Sequence, residues 1–234
     1  MIKRYFKNWN LYEILFLTLG ITITILVSIL TKSSIISMIY VITYIINALL
    51  TSKGRPESYI FGFIGIIFYG YLSYQQKYFG ELIIIVFMSI PVMIMGVISW
   101  LKNRDDETII INTISIQEIL LVLLSQVIMF FGYYYILKLF NTNMLIVSTL
   151  SIIMSLLALY FGARRSELSF YFYILNDIVG IALWLVPIIN EDTANYSVIL
   201  GPALLFINDN YGVFNWKRIK KKQQMEAKAW KKIY

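Results

Sequence analysis

The sequence predicts an all-α polytopic membrane protein of eight transmembrane helices arranged 1 + 3 + 1 + 3, with two three-helix units running parallel. Three observations predict it. Of 234 residues, 59% are hydrophobic and 14% charged, against about 25% charged in soluble domains, and mean hydropathy is +0.72. Too few polar residues remain to cover a water-soluble domain of this size. Eight apolar runs approach the length of about 20 residues that a bilayer crossing requires. An internal repeat relates the second and third runs to the sixth and seventh.

The runs occupy 11–30, 33–51, 58–75, 80–101, 118–137, 143–161, 168–189 and 196–216. They are continuously apolar, whereas barrel strands would alternate over about ten residues. The first run is not followed by a small-residue cleavage site, so 1–32 reads as a retained peripheral helix and not a signal peptide. Runs two to four form a first unit over 33–101, and 102–140 supplies a loop and a linking helix. Residues 141–216 form the second unit, and 217–234 a basic tail. Three helices reverse the chain's direction, so a linking helix is needed for the two units to lie parallel.

Basic residues mark the cytoplasmic side. With the N-terminus inside, the inner segments hold Lys3, Arg4, Lys7, Lys53, Arg55, Lys102, Arg104, Arg164, Arg165 and the eight basic residues from Lys217 onward, 17 of the 20 in the chain. Lys32, Lys77 and Lys138 fall outside, with Glu191 and Asp192 in an outer loop. This predicts a multi-pass protein of the plasma membrane with both termini cytoplasmic. The net charge of +7 is then an anchor to the inner leaflet, not a nucleic-acid surface. The tail from Lys217 to Tyr234, with Trp230, reads chiefly as that anchor.

The chain has no Cys and no His, which excludes disulfides, His-ligated zinc and imidazole catalysis. No phosphate-binding loop, dinucleotide fingerprint or nucleophile motif is present. Asp105-Asp106-Glu107 reads as a solvated loop run. An enzyme is not expected, nor a cofactor or a metal.

A shift of 110 residues aligns Ala48 with Ala158, Leu49 with Leu159, Arg55 with Arg165, Glu57 with Glu167, Ile64 with Ile174, Gly70 with Gly180 and Tyr74 with Trp184. An Arg-x-Glu stands before a helix in both copies. Parallel repeats of this kind hold a substrate near the midplane between them.

Polar groups at membrane depth are costly and face a cavity or a neighbouring helix. Asn176 and Asp177 in the seventh run, with Asn208, Asp209 and Asn210 in the eighth, predict a polar cavity between two helices. Lone Asn47 and Gln126 read first as interhelical hydrogen bonds. Gln75 and Glu81 stand at outer helix ends, where they would line an entrance. Many aromatics belong to interfacial belts, including Tyr5, Trp9, Trp100, Trp216 and Trp230. The run Phe170-Tyr171-Phe172-Tyr173 lies directly before Asn176. Phe172 and Asn176 share a helix face, with Ser169 one turn further along it, and Trp184 is a further aromatic candidate in the same run. An aromatic plane beside an amide and a carboxylate suits a flat heterocycle joined to a hydroxylated sugar, and a cationic ring would gain through cation–π attraction. No Lys or Arg lies in the middle of a run, so an unphosphorylated substrate is expected.

Three stretches carry a resemblance to the PnuC family of vitamin-nucleoside transporters: Tyr74 to Glu81 (YQQKYFGE) leading to Pro91, Gly96 and Trp100; Arg165 to Asn176 (RSELSFYFYILN); and Asn208 to Trp216 (NDNYGVFNW) with its basic tail. The resemblance implies a SWEET-like fold, assembly as a homotrimer, and facilitated uptake of nicotinamide riboside, trapped inside by a kinase. Phe172 would stack on the ring, Asn176 and Asn208 would bind ribose hydroxyls, and Asp177 would contact the cation or hold the Asn pair. The family pattern places two Trp before the Asn of the seventh helix. Here those positions are Ser169 and Phe172, which leaves thiamine or a deoxynucleoside open as ligand. A proton-coupled carrier using Asp177 or Asp209 is a second reading, and a membrane scaffold subunit without a pore is a third.

Overall fold

The computed structural model describes residues 8–105, 107–190 and 196–233, with side chains omitted at 80, 81, 187, 188, 190, 196, 197 and 230–233. Lys3, Arg4, Tyr5, Lys7, Asp106, Glu191 and Asp192 lie outside the described residues, as do the side chains of Glu81, Trp230, Lys231 and Lys232. Eight helical segments follow the eight apolar runs. They are α1 (Leu11–Leu30), α2 (Ile35–Ser52), α3 (Ser58–Gln75), α4 (Phe79–Ile84) continued through a π-helical turn (Ile85–Ser89) into α5 (Ile90–Lys102), α6 (Ile116–Leu139), α7 (Leu145–Ala163), α8 (Leu168–Asn190) and α9 (Tyr196–Ile233). A minimal antiparallel ribbon, β1 (Arg104–Asp105) with β2 (Thr108–Ile109), interrupts the helical pattern between α5 and α6.

Among the described residues six segments are long and apolar enough to cross a membrane: Leu11–Leu30, Ile35–Ser52, Leu82–Lys102, Ile116–Leu139, Leu145–Ala163 and Leu168–Val186. The other two, α3 and α9, are diluted by residues that face inward, such as Ser58, Tyr59 and Gly62 on α3 and Asp209 on α9.

Local chemistry sets the boundaries. Asn10 caps α1 through a capping box with Glu13, its side chain accepting the Glu13 N–H at 2.9 Å while its own N–H reaches the Glu13 carboxylate at 2.8 Å. The helices end in corners where one residue adopts a positive φ: Lys32, Gly54, Lys77, Asn141 and Arg165. In each corner the next N–H reaches back to a carbonyl near the helix end, which satisfies groups the helix leaves orphaned. The π-helical turn has a cause in Pro91. Its ring clashes with the carbonyl four residues back, that of Phe87 inside the turn, and it supplies no N–H.

Packing closes a ring in the order α2, α3, α5, α7, α8, α9 and back to α2, while α1 rests outside on α2 and α9, and α6 outside on α7 and α4. The peripheral helices are built for lipid. On α1 the buried stripe is Glu13, Phe16, Gly20, Thr24 and Ser28, small or polar apart from Phe16, and most of its Leu and Ile residues point outward. Small residues allow close approach, and Gly20 seats Ile45 of α2. Glu13 forms a buried ion pair with Lys53 at the end of α2, and Lys53 also lies 5.0 Å above the Trp9 ring. Burial pulls the Lys53 ammonium below its ordinary pKa, and the Glu13 hydrogen bond partly restores it. At the matching place on α6, Glu118 pairs with Arg164 at the end of α7 at 2.7 Å.

The two halves are joined at their basic end. The Trp100 indole of α5 donates to the Gly162 carbonyl of α7 at 2.7 Å, and the Trp216 indole of α9 donates to the Thr51 carbonyl of α2 at 2.9 Å. Thr51 and Gly162 are 111 positions apart, and the corner bonds recur at that spacing: Gly54 N–H to Thr51 and Arg165 N–H to Gly162. The shift of 110 suggested by matching letters is therefore off by one here. Arg55 and Arg165 are not structural counterparts, because Gly54 holds the positive φ that Arg165 holds in the second corner. Each tryptophan lies four residues after a glycine, in Gly96-Val-Ile-Ser-Trp100 and Gly212-Val-Phe-Asn-Trp216. Tyr59 and Phe170 stand edge-on to Trp100 and Trp216, both at 5.1 Å. The two indoles meet at 5.7 Å.

The segment after α5 crosses this junction as a strap. Its Ile109 N–H bonds the Gly54 carbonyl and its Asn112 N–H the Arg165 carbonyl, both at 2.9 Å. Gln223 of α9 grips it from outside, accepting from Ile111 N–H at 3.0 Å and donating to the Ile109 carbonyl at 2.9 Å. Ile109 and Ile111 pack with Trp100 and Trp216.

Candidate substrate cavity

Inside the ring lies a cavity of about 190 Å³. Its walls come from α2, α3, the α4–α5 segment, α7, α8 and α9, and among the described residues none comes from α1 or α6. Helix α8 presents Tyr173, Asp177, Gly180 and Trp184, spaced four, three and four residues apart, so that one face lines the space. Asn176 stands at the edge of that face, where its side-chain oxygen accepts from the Ser151 hydroxyl of α7 at 3.4 Å. Asp209 enters from α9 beside Asp177, close enough for the two carboxyls to interact. From α2 and α3 come Tyr40, Tyr44, Tyr59 and Tyr69, and the amide of Asn47 donates to the Ser58 carbonyl at 2.8 Å. Trp184 packs edge-on against Tyr69 and Tyr78.

The sequence-derived candidates divide. Asn176, Asp177 and Trp184 line the cavity together. Phe172 does not: it stacks on Phe161 at 5.4 Å and 9° and lines a shallow apolar groove beneath α6, with Gln126. Being one residue before Tyr173, it is turned by about 100° around the helix, and the aromatic face that α8 shows to the cavity is that of Tyr173. Ser169 is wholly buried below the cavity against Gly162. Asn208 is also wholly buried, donating to the Ser52 hydroxyl at 2.8 Å and to Asp209 at 3.3 Å, so it ties α9 to α2 and orients Asp209 from behind. Gln75 is exposed at the end of α3, bonded to the Tyr71 hydroxyl at 3.2 Å. The side chain of Glu81 lies outside the described residues.

The tyrosines of α2 and α3 are the residues that sequence reasoning passed over. Their signal was spacing: Tyr40 and Tyr44 four apart on α2, and Tyr59, Gly62, Ile66 and Tyr69 along one face of α3, with Tyr44 and Tyr69 away from the helix ends where an interfacial belt belongs. Among the described residues no cluster of carboxylates suits a metal ion.

The arrangement is a small chamber with hydroxyl, amide and carboxyl groups set among aromatic rings at the centre of a membrane bundle, which is the chemistry of a site that binds and releases a polar aromatic solute. Comparison with known proteins agrees. The family model described as nicotinamide mononucleotide transporter matches residues 34–218. The chain is 23% identical to the nicotinamide riboside transporter PnuC of Neisseria mucosa over 184 residues, covering 76% of this chain and 70% of that one. It is 22% identical to the transporter of the same name from Haemophilus influenzae, covering 94% and 96%. A crystal structure of the vitamin B3 transporter PnuC superposes with a TM-score of 0.84 at 22% identity, covering 94% of this chain and 97% of that one. A family of transporters, not enzymes, thus accounts for a cavity walled by six helices, and this chain belongs to that nicotinamide mononucleotide transporter family.

Proposed function

We propose that the protein is a facilitative uptake transporter for nicotinamide riboside. One observation carries this reading: three helices from each half of the chain converge on a single chamber in which Asn176, Asp177 and Asp209 face tyrosines and Trp184. Among the described residues no Lys or Arg lines the chamber, so nothing there would neutralise a phosphate. That favours the unphosphorylated riboside over the mononucleotide of the family's description. Tyr173 or Trp184 stacks on the ring, Asn176 takes ribose hydroxyls, and Gln75 and Glu81 stand near the entrance at the end away from the basic residues.

All eight segments cross the plasma membrane, with both termini in the cytoplasm, and α1 is the peripheral helix of 1–32. The units of 33–101 and 141–216 form parallel, SWEET-like repeats that rock around the chamber, joined through 102–140, with 217–234 as the basic tail. The matched tryptophan bonds and the closed ring of six helices support this repeat. The protein assembles as a homotrimer, and an intracellular kinase traps the imported riboside. Calorimetry on purified protein with nicotinamide riboside, thiamine and a deoxynucleoside tests the ligand. Binding of nicotinamide riboside that Asn176→Ala sharply weakens is expected, and an unchanged affinity in that variant would refute the site.

A further inference from the structure

We propose that Asp177 and Asp209 together select the charge of the ligand, making the chamber specific for solutes whose ring is a cation. The inference rests on the transport reading above and deepens it by naming what the site discriminates.

The two carboxyls come from adjacent helices, α8 and α9, and meet on one wall of the chamber. Asp177 is 3% exposed and Asp209 5%. One Asp177 oxygen, Oδ2, is buried without a hydrogen-bond partner, although the residue lines the chamber. Asp209 is held from behind by Asn208, so its carboxyl is positioned without being neutralised. Two neighbouring carboxyls cannot both ionise freely, so the pair carries at most about one negative charge, and a cation in the chamber would supply its counter-charge. A buried charge without a counter-charge is costly, and such groups are paired in folded proteins. Among the described residues that line the chamber there is no Lys or Arg to pair with it. The basic residues that the chain does bury, Lys53 and Arg55, are engaged by Glu13 and Glu107.

The remaining wall supports the same ligand. Tyr40, Tyr44, Tyr59 and Tyr69 line the same chamber from α2 and α3, and Tyr173 and Trp184 flank Asp177 on its own helix. Electron-rich ring faces around two carboxyls that have no basic partner in the chamber are the recognition chemistry of a desolvated organic cation. A neutral nucleoside could use the hydroxyls and amides here but would give the carboxyls no counter-charge. The plainer role for the pair is a proton-sharing tie between α8 and α9. That role needs no aromatic rings around the pair, and a pair of amides would serve it as well.

The test compares two ligands of one shape, nicotinamide riboside and its neutral dihydro form, with thiamine as a second cation and a deoxynucleoside as a neutral control. Calorimetry is run on the parent, Asp177→Asn, Asp209→Asn and the double variant. The parent is expected to prefer the cationic riboside by about tenfold or more, and the double variant to lose about a hundredfold for it. Binding of the dihydro form should change only a few-fold in the double variant, which also shows that the variant folds. Equal affinity of the parent for the two ribosides overturns the proposal, as does an unchanged preference in the double variant. If thiamine binds in an acid-dependent way and neither riboside binds, charge selection stands and the nicotinamide riboside reading falls. If the deoxynucleoside alone binds, both fall.

Discussion

Gly212 packs tightly against Phe170 at the basic end, and adding one methyl group there tests the packing of the tryptophan junction. An alanine Cβ at this position would stand 2.2 Å from Phe170 Cε1, 2.4 Å from Cδ1 and 2.7 Å from Cζ, where ordinary contact starts near 3.4 Å. The Phe170 ring would have to retreat by more than about 1 Å, in an interior packed as densely as an organic crystal. It has nowhere to go. Phe170 is wholly buried and edge-on to Trp216, which is itself bonded to Thr51. Overpacking of this kind costs about 1–3 kcal/mol, offset by the gain of about 0.5–1 kcal/mol from replacing a helical glycine. A chain of this length shifts by about 2–4 °C per kcal/mol, so the net cost of about 0–2.5 kcal/mol should lower the apparent Tm of Gly212→Ala in detergent by up to about 10 °C. Gly132 is the internal control, since a Cβ there meets nothing within 4 Å, and Gly132→Ala should leave the Tm unchanged or raise it slightly. If Gly212→Ala melts with or above Gly132→Ala, the packing argument is wrong.

Further outcomes follow from other parts of the molecule. Trp100→Phe and Trp216→Phe each keep a ring but remove the indole donor, leaving the Gly162 or Thr51 carbonyl short of its bond. Each should cost about 1–2 kcal/mol in thermal melts, and a loss below a few tenths would show that the bonds do not hold the halves together. Lys53→Met strands a buried Glu13 carboxylate and should cost about 3–5 kcal/mol. Adding Glu13→Gln should recover much of that, and failure to recover would mean that Lys53 acts through packing instead. Gln223→Ala deletes both clasps on the strap, and amide exchange at Ile111 should accelerate about tenfold. Unchanged exchange would show that the strap is held by Gly54 and Arg165 alone.

Hydropathy and charge made the helices legible because a bilayer imposes a length and a sign rule on every crossing. The eight runs and the eight helical segments agree to within a few residues except in α9, which continues to Ile233 where the run was expected to end at 216, and the first and fifth segments pack outside the closed ring. Asn176 and Asp177 were legible as site candidates because polar groups at that depth need a reason. Phe172 was misdirecting: sharing a face with Asn176 fixes a direction only to within a quarter turn, and here that margin separates the chamber from the groove under α6. Asn208 illustrates a different limit. Its depth matched that of Asn176, yet its amide is consumed by Ser52, a partner 156 positions away in the chain that no local pattern could indicate. The crossed tryptophans read as belt residues because their carbonyl partners lie on the opposite half of the protein.

Those crossed bonds make closure of the basic end bivalent. Each half contributes one donor and one acceptor, so the junction behaves like two binding modules on a shared tether. When one indole lets go, the other keeps the released pair at an effective concentration on the order of millimolar, and reclosure outruns separation. Parting the two halves at that end requires both contacts to be absent at once. Thermal fluctuation of either one alone therefore opens no path, and the seal has the character of avidity, with a strength that neither hydrogen bond has by itself.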